Sequence, residues 1–341
     1  MREPYRRASP YVLGMYILGV AAGFLFFNMR LTVEWVAIIL FIAAVLSGRG
    51  LLFLRDWGVF IAVLLAWQLA SPLATRFSFP WHLHELISAD KLMFFGVVPA
   101  VWLQKHLYHP GVLEPWDVLA AVMYMLHFLA PLLSGFLLWM TNRELFRKFA
   151  ITFVLVALAG FVTYIVYPAV PPWLAAQPLV AVGNHYAHPW EVATTYPGGL
   201  HAAWAHSHVY LPGVQNLFNI IAGRWYNPYH GTIFFAGLHL HYDQVAAVPS
   251  EHAMYPLLFF LFLRRQFGRW AYLALVYIGL LLFSITYLGQ HYAVDAVVGF
   301  AYAILGYALV MHAWPWFKGA TSRNSKPAQF APVGIRELEE A

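Results

Sequence analysis

Apolar residues in this chain come in long, nearly unbroken runs set apart by short polar islands. The runs fall at residues 11–27, 33–46, 57–71, 116–140, 149–167, 252–263, 270–288 and 292–312. Such runs are hydrophobic on every side of a helix, which suits lipid and not the surface of a soluble core. A hydrocarbon layer of about 30 Å takes about 20 helical residues. The pattern predicts eight transmembrane helices, the shorter of which tilt little, recruit flanking residues or sit where the bilayer thins. Residues 92–104 are apolar too, but Gly96 and Pro99 interrupt them, and they read as interfacial or re-entrant. Residues 173–247 hold no clean run and are rich in His, Tyr, Trp, Pro and Gly. They predict a cap with short helices near 214–222 and 232–238. From Gly319 the chain turns polar and ends acidic, which predicts a disordered tail. The expected organisation is amino-terminal helices (1–84), a main membrane domain (85–312) that includes the cap (174–247), and the tail (313–341).

Composition agrees with an all-α integral membrane protein. Of the 341 residues 61% are hydrophobic and 10% charged, where soluble domains have about 25% charged. Aromatics at 18% suit interfacial belts. The chain has no cysteine, which excludes disulfides, thiolate metal sites and a cysteine nucleophile. Its net charge of +5 comes mainly from short loops and the amino terminus. Arg2, Arg6 and Arg7 precede the first run, Arg49 and Arg55 follow the second, and Arg143, Arg147 and Lys148 follow the fourth. Arg264, Arg265 and Arg269 follow the sixth, and Lys318, Arg323 and Lys326 follow the last. Eight spans put all these clusters on one side, which the positive-inside rule makes cytoplasmic. Counting 92–104 as a further span would scatter them. The charge reports orientation, so no nucleic-acid partner is implied, and no obligate protein partner is evident. The basic amino terminus lacks a small-residue cleavage pattern after residues 11–27 and reads as an uncleaved anchor.

Candidate chemistry lies in two islands that this topology places on the non-cytoplasmic face. They are Val248-Pro249-Ser250-Glu251-His252 and Gly289-Gln290-His291-Tyr292-Ala293-Val294-Asp295. On a helix, His291 and Asp295 share a face. A carboxylate beside an imidazole fixes its tautomer and raises its basicity, as a histidine nucleophile or base requires. A second histidine, His252, supplies an acid. Each island also has a plain reading. Ser250 is a good N-cap with Glu251 as an acidic first-turn residue, and His291 with Asp295 is a tie between helix ends. The cap histidines His185, His188, His201, His206, His208, His230, His239 and His241 invite a metal reading. Without cysteine or an acidic cluster they read instead as surface and headgroup-contact residues.

The ordered set of motifs resembles the type 2 phosphatidic acid phosphatase superfamily. Pro249-Ser250-Glu251-His252 followed by Ser284-Ile285-x5-His291-x3-Asp295 is similar to its second and third signatures. More narrowly, Tyr167-Pro168-Ala169-Val170-Pro171-Pro172-Trp173 resembles the proline-rich motif of the aureobasidin-sensitive inositol phosphorylceramide synthases and their bacterial relatives. The segment Asp90–Gln104 and the region around His127 (Tyr124-Met125-Leu126-His127-Phe128) also resemble that branch. Glu251 stands where phosphatases of the superfamily have glycine, Ile285 replaces an arginine, and the lysine–arginine first signature is not evident. The synthase branch also lacks these basic residues, so the departures favour it over a plain phosphatase.

The resemblance implies a helical core of the superfamily's type and a metal-free, cofactor-free, two-step phosphoryl transfer. His291, oriented by Asp295, would attack phosphorus to give a phosphohistidine. His252 would protonate the departing alkoxide and then act as base for the incoming hydroxyl. Ser250 and nearby amides would stabilise the phosphoryl oxygens, and Glu251, Pro171, Pro172, Trp173, Asp90, Lys91 and His127 are further substrate-contact candidates, with Arg224 and cap histidines as other charge partners. The expected partners are a phospholipid donor and a lipid hydroxyl acceptor in the bilayer. Competing readings are a lipid phosphatase with water as acceptor, a non-enzymatic lipid or solute transporter, and a bis-histidine haem protein.

Overall fold

The computed structural model of the chain describes residues 33–70, 79–183, 185–194, 198–225 and 245–323. The first expected span (11–27), the cap helix expected at 232–238, and His230, His239 and His241 lie outside these residues. Two helices open the described chain, α1 (Val33–Leu46) and α2 (Gly50–Ala70). Two short ones follow, α3 (His84–Met93) and α4 (Pro99–Leu107), and then two long ones, α5 (Pro115–Thr141) and α6 (Arg143–Val166). The cap holds α7 (Pro172–Ala175), the antiparallel pair β1 (Val180–Val182) and β2 (His185–Ala187), α8 (Pro189–Val192), α9 (Gly199–Ala205) and α10 (Leu217–Trp225). The chain then returns to the bundle through α11 (Glu251–Phe267), a 3-10 turn (Gly268–Tyr272), α12 (Leu273–Tyr287) and α13 (Ala293–Arg323). Apart from one small ribbon the regular elements among the described residues are helical, as expected.

Among the described residues three runs are long and apolar enough to cross a membrane: Arg143–Val166, Glu251–Tyr287 and Ala293–Trp314. A fourth is the bent pair Pro115–His127 and Leu129–Thr141. The second run is 37 residues long, about 55 Å if straight. Yet His252 near its start touches His291 just beyond its end, so α11 and α12 form a hairpin that turns back at Gly268–Tyr272. These apolar helices make this a membrane protein. On α6, Ile151, Leu155, Leu158 and Val162 form one exposed stripe, a face suited only to lipid.

Several expected ends move for physical reasons. Helix α2 starts at Gly50 and not at residue 57, because Asp56 is neutralised at the helix end. It lies 2.8 Å from Arg143 Nε and accepts the Trp139 indole N–H at 2.9 Å. Helix α13 runs through Arg323, well past residue 312. Residues 92–104 resolve into the end of α3, an elbow, and α4. Those helices have 10 and 9 residues, too few to cross a bilayer.

Helix α11 is the central strut, packed against α5, α6, α12 and α13. Its buried face carries Met254, Tyr255, Leu258, Phe259 and Phe262. Close approach of α13 to α11 depends on Gly299, where an added Cβ would stand 2.4 Å from the Ser250 carbonyl oxygen. Helix α5 bends by 50° between His127 and Leu129. Pro131 is the cause: it has no N–H for the His127 carbonyl, and its ring crowds that turn.

The bundle has two chemically different ends. Arg49, Arg143 and Arg147 gather near Asp56 and the Met140 carbonyl. Asn142 beside them donates to Gln266 at the far end of α11 from His252, next to Arg264 and Arg265. The described arginine clusters thus share one end, and His252 and His291 lie at the other. Gly299→Ala should destabilise the bundle by about 1–3 kcal/mol, the usual cost of overpacking. Thermal unfolding of the purified variant in detergent checks this, and an unchanged midpoint would contradict the close α11–α13 contact.

Candidate active site

The site is built on a backbone splint supplied by the proline-rich segment. After α6 ends at Tyr167, the Ala169 N–H donates to the Val245 carbonyl and the Ala247 N–H donates back to Ala169. On the other side His82 N–H donates to the Pro168 carbonyl, and Val170 N–H donates to His82. Three remote stretches are thereby joined. Trp173 N–H then donates to the Gly289 carbonyl at 3.0 Å. Gly289 itself has φ +75°, and an added Cβ would stand 2.8 Å from the Gln215 carbonyl oxygen. Only glycine suits both conditions.

This splint fixes His291. Its Nδ1 lies 3.0 Å from the Ala247 carbonyl oxygen and 3.4 Å from Asp295 Oδ2. Both neighbours are acceptors, so Nδ1 carries the proton and Nε2 keeps its lone pair. That lone pair faces His252 Nδ1 at 3.1 Å. Asp295 is fully buried, and its shortest bond is with the Tyr292 N–H at 2.9 Å. The carboxylate therefore lies against Nδ1 and ties the helix start, while the Ala247 carbonyl is the nearer orienting group.

His252 is held from the side by α5. Its ring centroid lies 4.6 Å from Tyr124, nearly parallel, and 4.2 Å from His127. Tyr124 and His127 are three apart and share a helix face. Tyr124 also meets Phe218 of the cap helix α10 at 4.7 Å. The cap is stitched down nearby, where Gln104 donates to the Gln215 and Tyr287 carbonyls and accepts from Gln215 N–H. Gln290 donates to Asn216.

The structure brings His252, His291, Asp295, Ser250 and His127 together. Ser250 stands at the N-cap position of α11, but its hydroxyl makes no capping bond. It is buried, without a hydrogen-bond partner. Its N–H donates to the Asp295 carbonyl. Glu251 turns away toward α6, where its Oε1 would be 3.5 Å from a Cβ at Gly160, and it hydrogen-bonds Tyr255. Pro171, Pro172 and Trp173 act through the backbone described above. Lys91 is exposed, and among the described residues its ammonium makes no ion pair or hydrogen bond. Asp90, expected as a substrate-contact residue, caps the start of α13. It is fully buried, and its two oxygens accept the Val294 and Ala293 N–H groups at 3.0 and 3.2 Å. Burial pushes the Asp90 carboxyl above the ordinary range, against the pull of those two amides.

The cap histidines find separate partners. His188 stacks on Trp190, His206 bonds the Ala202 carbonyl, and His185 and His208 face Trp81 and Tyr210. Among the described residues no three His, Asp or Glu side chains converge as metal ligands. Sequence reasoning missed the Ala247 carbonyl, which no side chain announces, and the role of Tyr124, for which its spacing to His127 was the available signal. Asp90→Ala should cost about 0.5–2 kcal/mol, as loss of a helix cap does, and Asp90→Asn less, since one acceptor remains. Thermal melts of the two purified variants check the order.

Comparison with known proteins follows the same residues. The family model described as the PAP2 superfamily matches residues 84–309. A phosphoinositol dihydroceramide synthase of Bacteroides thetaiotaomicron is 28% identical over 194 residues, covering 56% of this chain and 54% of that protein. The match therefore spans about half the length of that relative. No solved structure matches the chain. The family match takes in both histidine islands, the proline-rich splint and Asp90, and on that extent the chain belongs to the PAP2 superfamily.

Proposed function

We propose that this protein is an integral membrane phosphotransferase that moves a phosphorylated polar headgroup from a glycerophospholipid to a lipid hydroxyl. The observation that carries this reading is the 3.1 Å contact between His252 Nδ1 and the lone-pair nitrogen of His291. In the first step His291 Nε2 attacks phosphorus and the bond from phosphorus to the glyceride oxygen breaks. His252 gives its proton to that oxygen, which leaves as a neutral diacylglycerol. The positive charge then carried by the phosphorylated His291 ring is met by the Ala247 carbonyl and Asp295. In the second step His252 takes the proton of the acceptor hydroxyl, whose oxygen attacks phosphorus as the nitrogen–phosphorus bond breaks. The Ser250 hydroxyl and the amino end of α11 supply hydrogen bonds to the phosphoryl oxygens, the usual electrostatic term in such transfers.

Two features support a lipid acceptor over water. His291 is only 5% exposed, and Tyr124, His127 and Phe218 wall the His252 side, so a phosphohistidine would be kept from bulk solvent. The relative's printed name supports phosphoinositol as the headgroup and a ceramide-type hydroxyl as acceptor. With the described arginines at the opposite end, the positive-inside rule supports a non-cytoplasmic face for the histidines and a cytoplasmic side for the far end of α13.

Purified protein incubated with inositol-labelled phosphatidylinositol and ceramide or diacylglycerol tests the reading. A labelled inositol lipid made only with the acceptor present is the expected product, and free inositol phosphate would make the protein a phosphatase-type hydrolase instead. His291→Ala should abolish turnover. His252→Ala should slow it by roughly 10²–10⁴-fold, the range for a lost general acid, and less with an activated aryl phosphodiester whose leaving group needs no proton. Normal turnover by folded His291→Ala protein would sink the mechanism.

A further inference from the structure

The elbow between α3 and α4 carries apolar side chains that nothing in the described fold covers. Phe95 is 99% exposed and Leu92 85%, and Met93, Phe94 and Val97 beside them are also exposed, as is Trp102 on α4. No charged residue lies between Lys91 and Lys105. The elbow is a built turn. Phe94 N–H donates to Asp90, Gly96 N–H to Lys91 and Val97 N–H to Phe94. Phe95 is held at φ +53°, a left-handed conformation that a bulky aromatic rarely adopts. The turn thus spends strain on presenting an apolar ring outward.

The elbow is also fixed in place relative to the histidines. Asp90, one residue before Lys91, holds the Ala293 and Val294 N–H groups just past His291. Val297, in the turn of α13 after that cap, is exposed as well. The elbow is thus tied through Asp90 to the start of a membrane helix that itself shows apolar side chains, and it lies at the histidine end of the bundle. Lysines bracket it, and such side chains lay their stems on apolar surface and their ammonium groups among lipid phosphates.

We propose that the α3–α4 elbow is a membrane wedge. It seats in the leaflet beside the histidines, at the boundary between headgroups and acyl chains, and through Asp90 it sets the depth of His291 against the lipid phosphates. An enzyme acting on a phosphorus atom that sits at headgroup level needs its nucleophile held at that level. The occupant is the lipid surface itself. The seating of the wedge rests only on the bundle's crossing a membrane, while its setting of the depth of His291 rests on the phosphotransfer reading.

The absence of cysteine makes the test direct. Phe95→Cys and, separately, Leu92→Cys are labelled with an environment-sensitive fluorophore, and the full chain is reconstituted in phosphatidylcholine–phosphatidylglycerol vesicles. Thr194→Cys in the cap, an exposed position, is the aqueous reference. Nitroxide lipids labelled near the headgroup should quench the elbow probes strongly, and iodide should quench them several-fold less than the Thr194 probe. Iodide quenching equal to that of Thr194 would overturn the wedge. So would quenching chiefly by nitroxide at the chain ends, which marks a re-entrant segment, or quenching by neither, which marks cover by protein or a second copy. No outcome depends on turnover, so the seating of the wedge and the proposed reaction stand or fall separately.

Discussion

The carbonyl oxygen of Ala247 is the point on which the site depends. By accepting from His291 Nδ1 at 3.0 Å it settles the tautomer, and the tautomer settles which nitrogen faces His252. That carbonyl is itself positioned through the chain. The Ala247 N–H is anchored to Ala169, Ala169 to Val245, and the next residue, Val170, to His82. Proline at 168, 171 and 172 suits this segment because it stiffens an extended exit from α6 without needing N–H partners at those residues. The proline-rich motif therefore acts as a backbone splint for an imidazole.

A second constraint comes from the membrane. Within a bilayer every backbone polar group must be satisfied inside the protein, and ionisable side chains are least costly at helix ends. The site obeys both conditions. His252, His291 and Asp295 sit at the starts of α11 and α13, where the chain leaves regular helix. The amides freed there are used: Tyr292 N–H by Asp295, Ala293 and Val294 N–H by Asp90, and Ser250 N–H by the Asp295 carbonyl. The His127 carbonyl, freed by Pro131, bends α5 beside His252, so one proline shapes the wall that Tyr124 and His127 present.

These facts separate what could be read in the sequence from what could not. Helix existence was legible because unbroken apolar runs have few alternatives in water or lipid. The two histidine islands were legible from the spacing of His291 and Asp295 and from a second histidine at another helix start, although His291 stands two residues before α13 and meets Asp295 from outside the helix. Helix ends were less so: Asp56 extends α2 only because Arg143 and Trp139, far along the chain, neutralise it. The partners of Asp90 were not legible for the same reason. It is a substrate-contact candidate through the resemblance of the segment Asp90–Gln104 to the synthase branch, and the groups it holds are backbone amides some two hundred positions later, which carry no side-chain signature. The Gln104 clamp and the Ala247 carbonyl are tertiary facts of the same sort. Tyr124 lay within reach, since its spacing to His127 places both on one face.

The contact between the two imidazoles also says something about the cycle. A phosphoryl group with its leaving oxygen does not fit in a 3.1 Å gap, because an in-line arrangement needs a covalent or near-covalent distance on each side plus a hydrogen bond of about 2.8 Å. On the proposed reaction the rings would part as substrate enters. His291 is held by the Ala247 splint and by Asp295, whereas His252 is flanked by the ring faces of Tyr124 and His127. Tyr124 in turn rests on Phe218 of the cap, so the proposed acid, the wall of α5 and the cap helix form one packed stack.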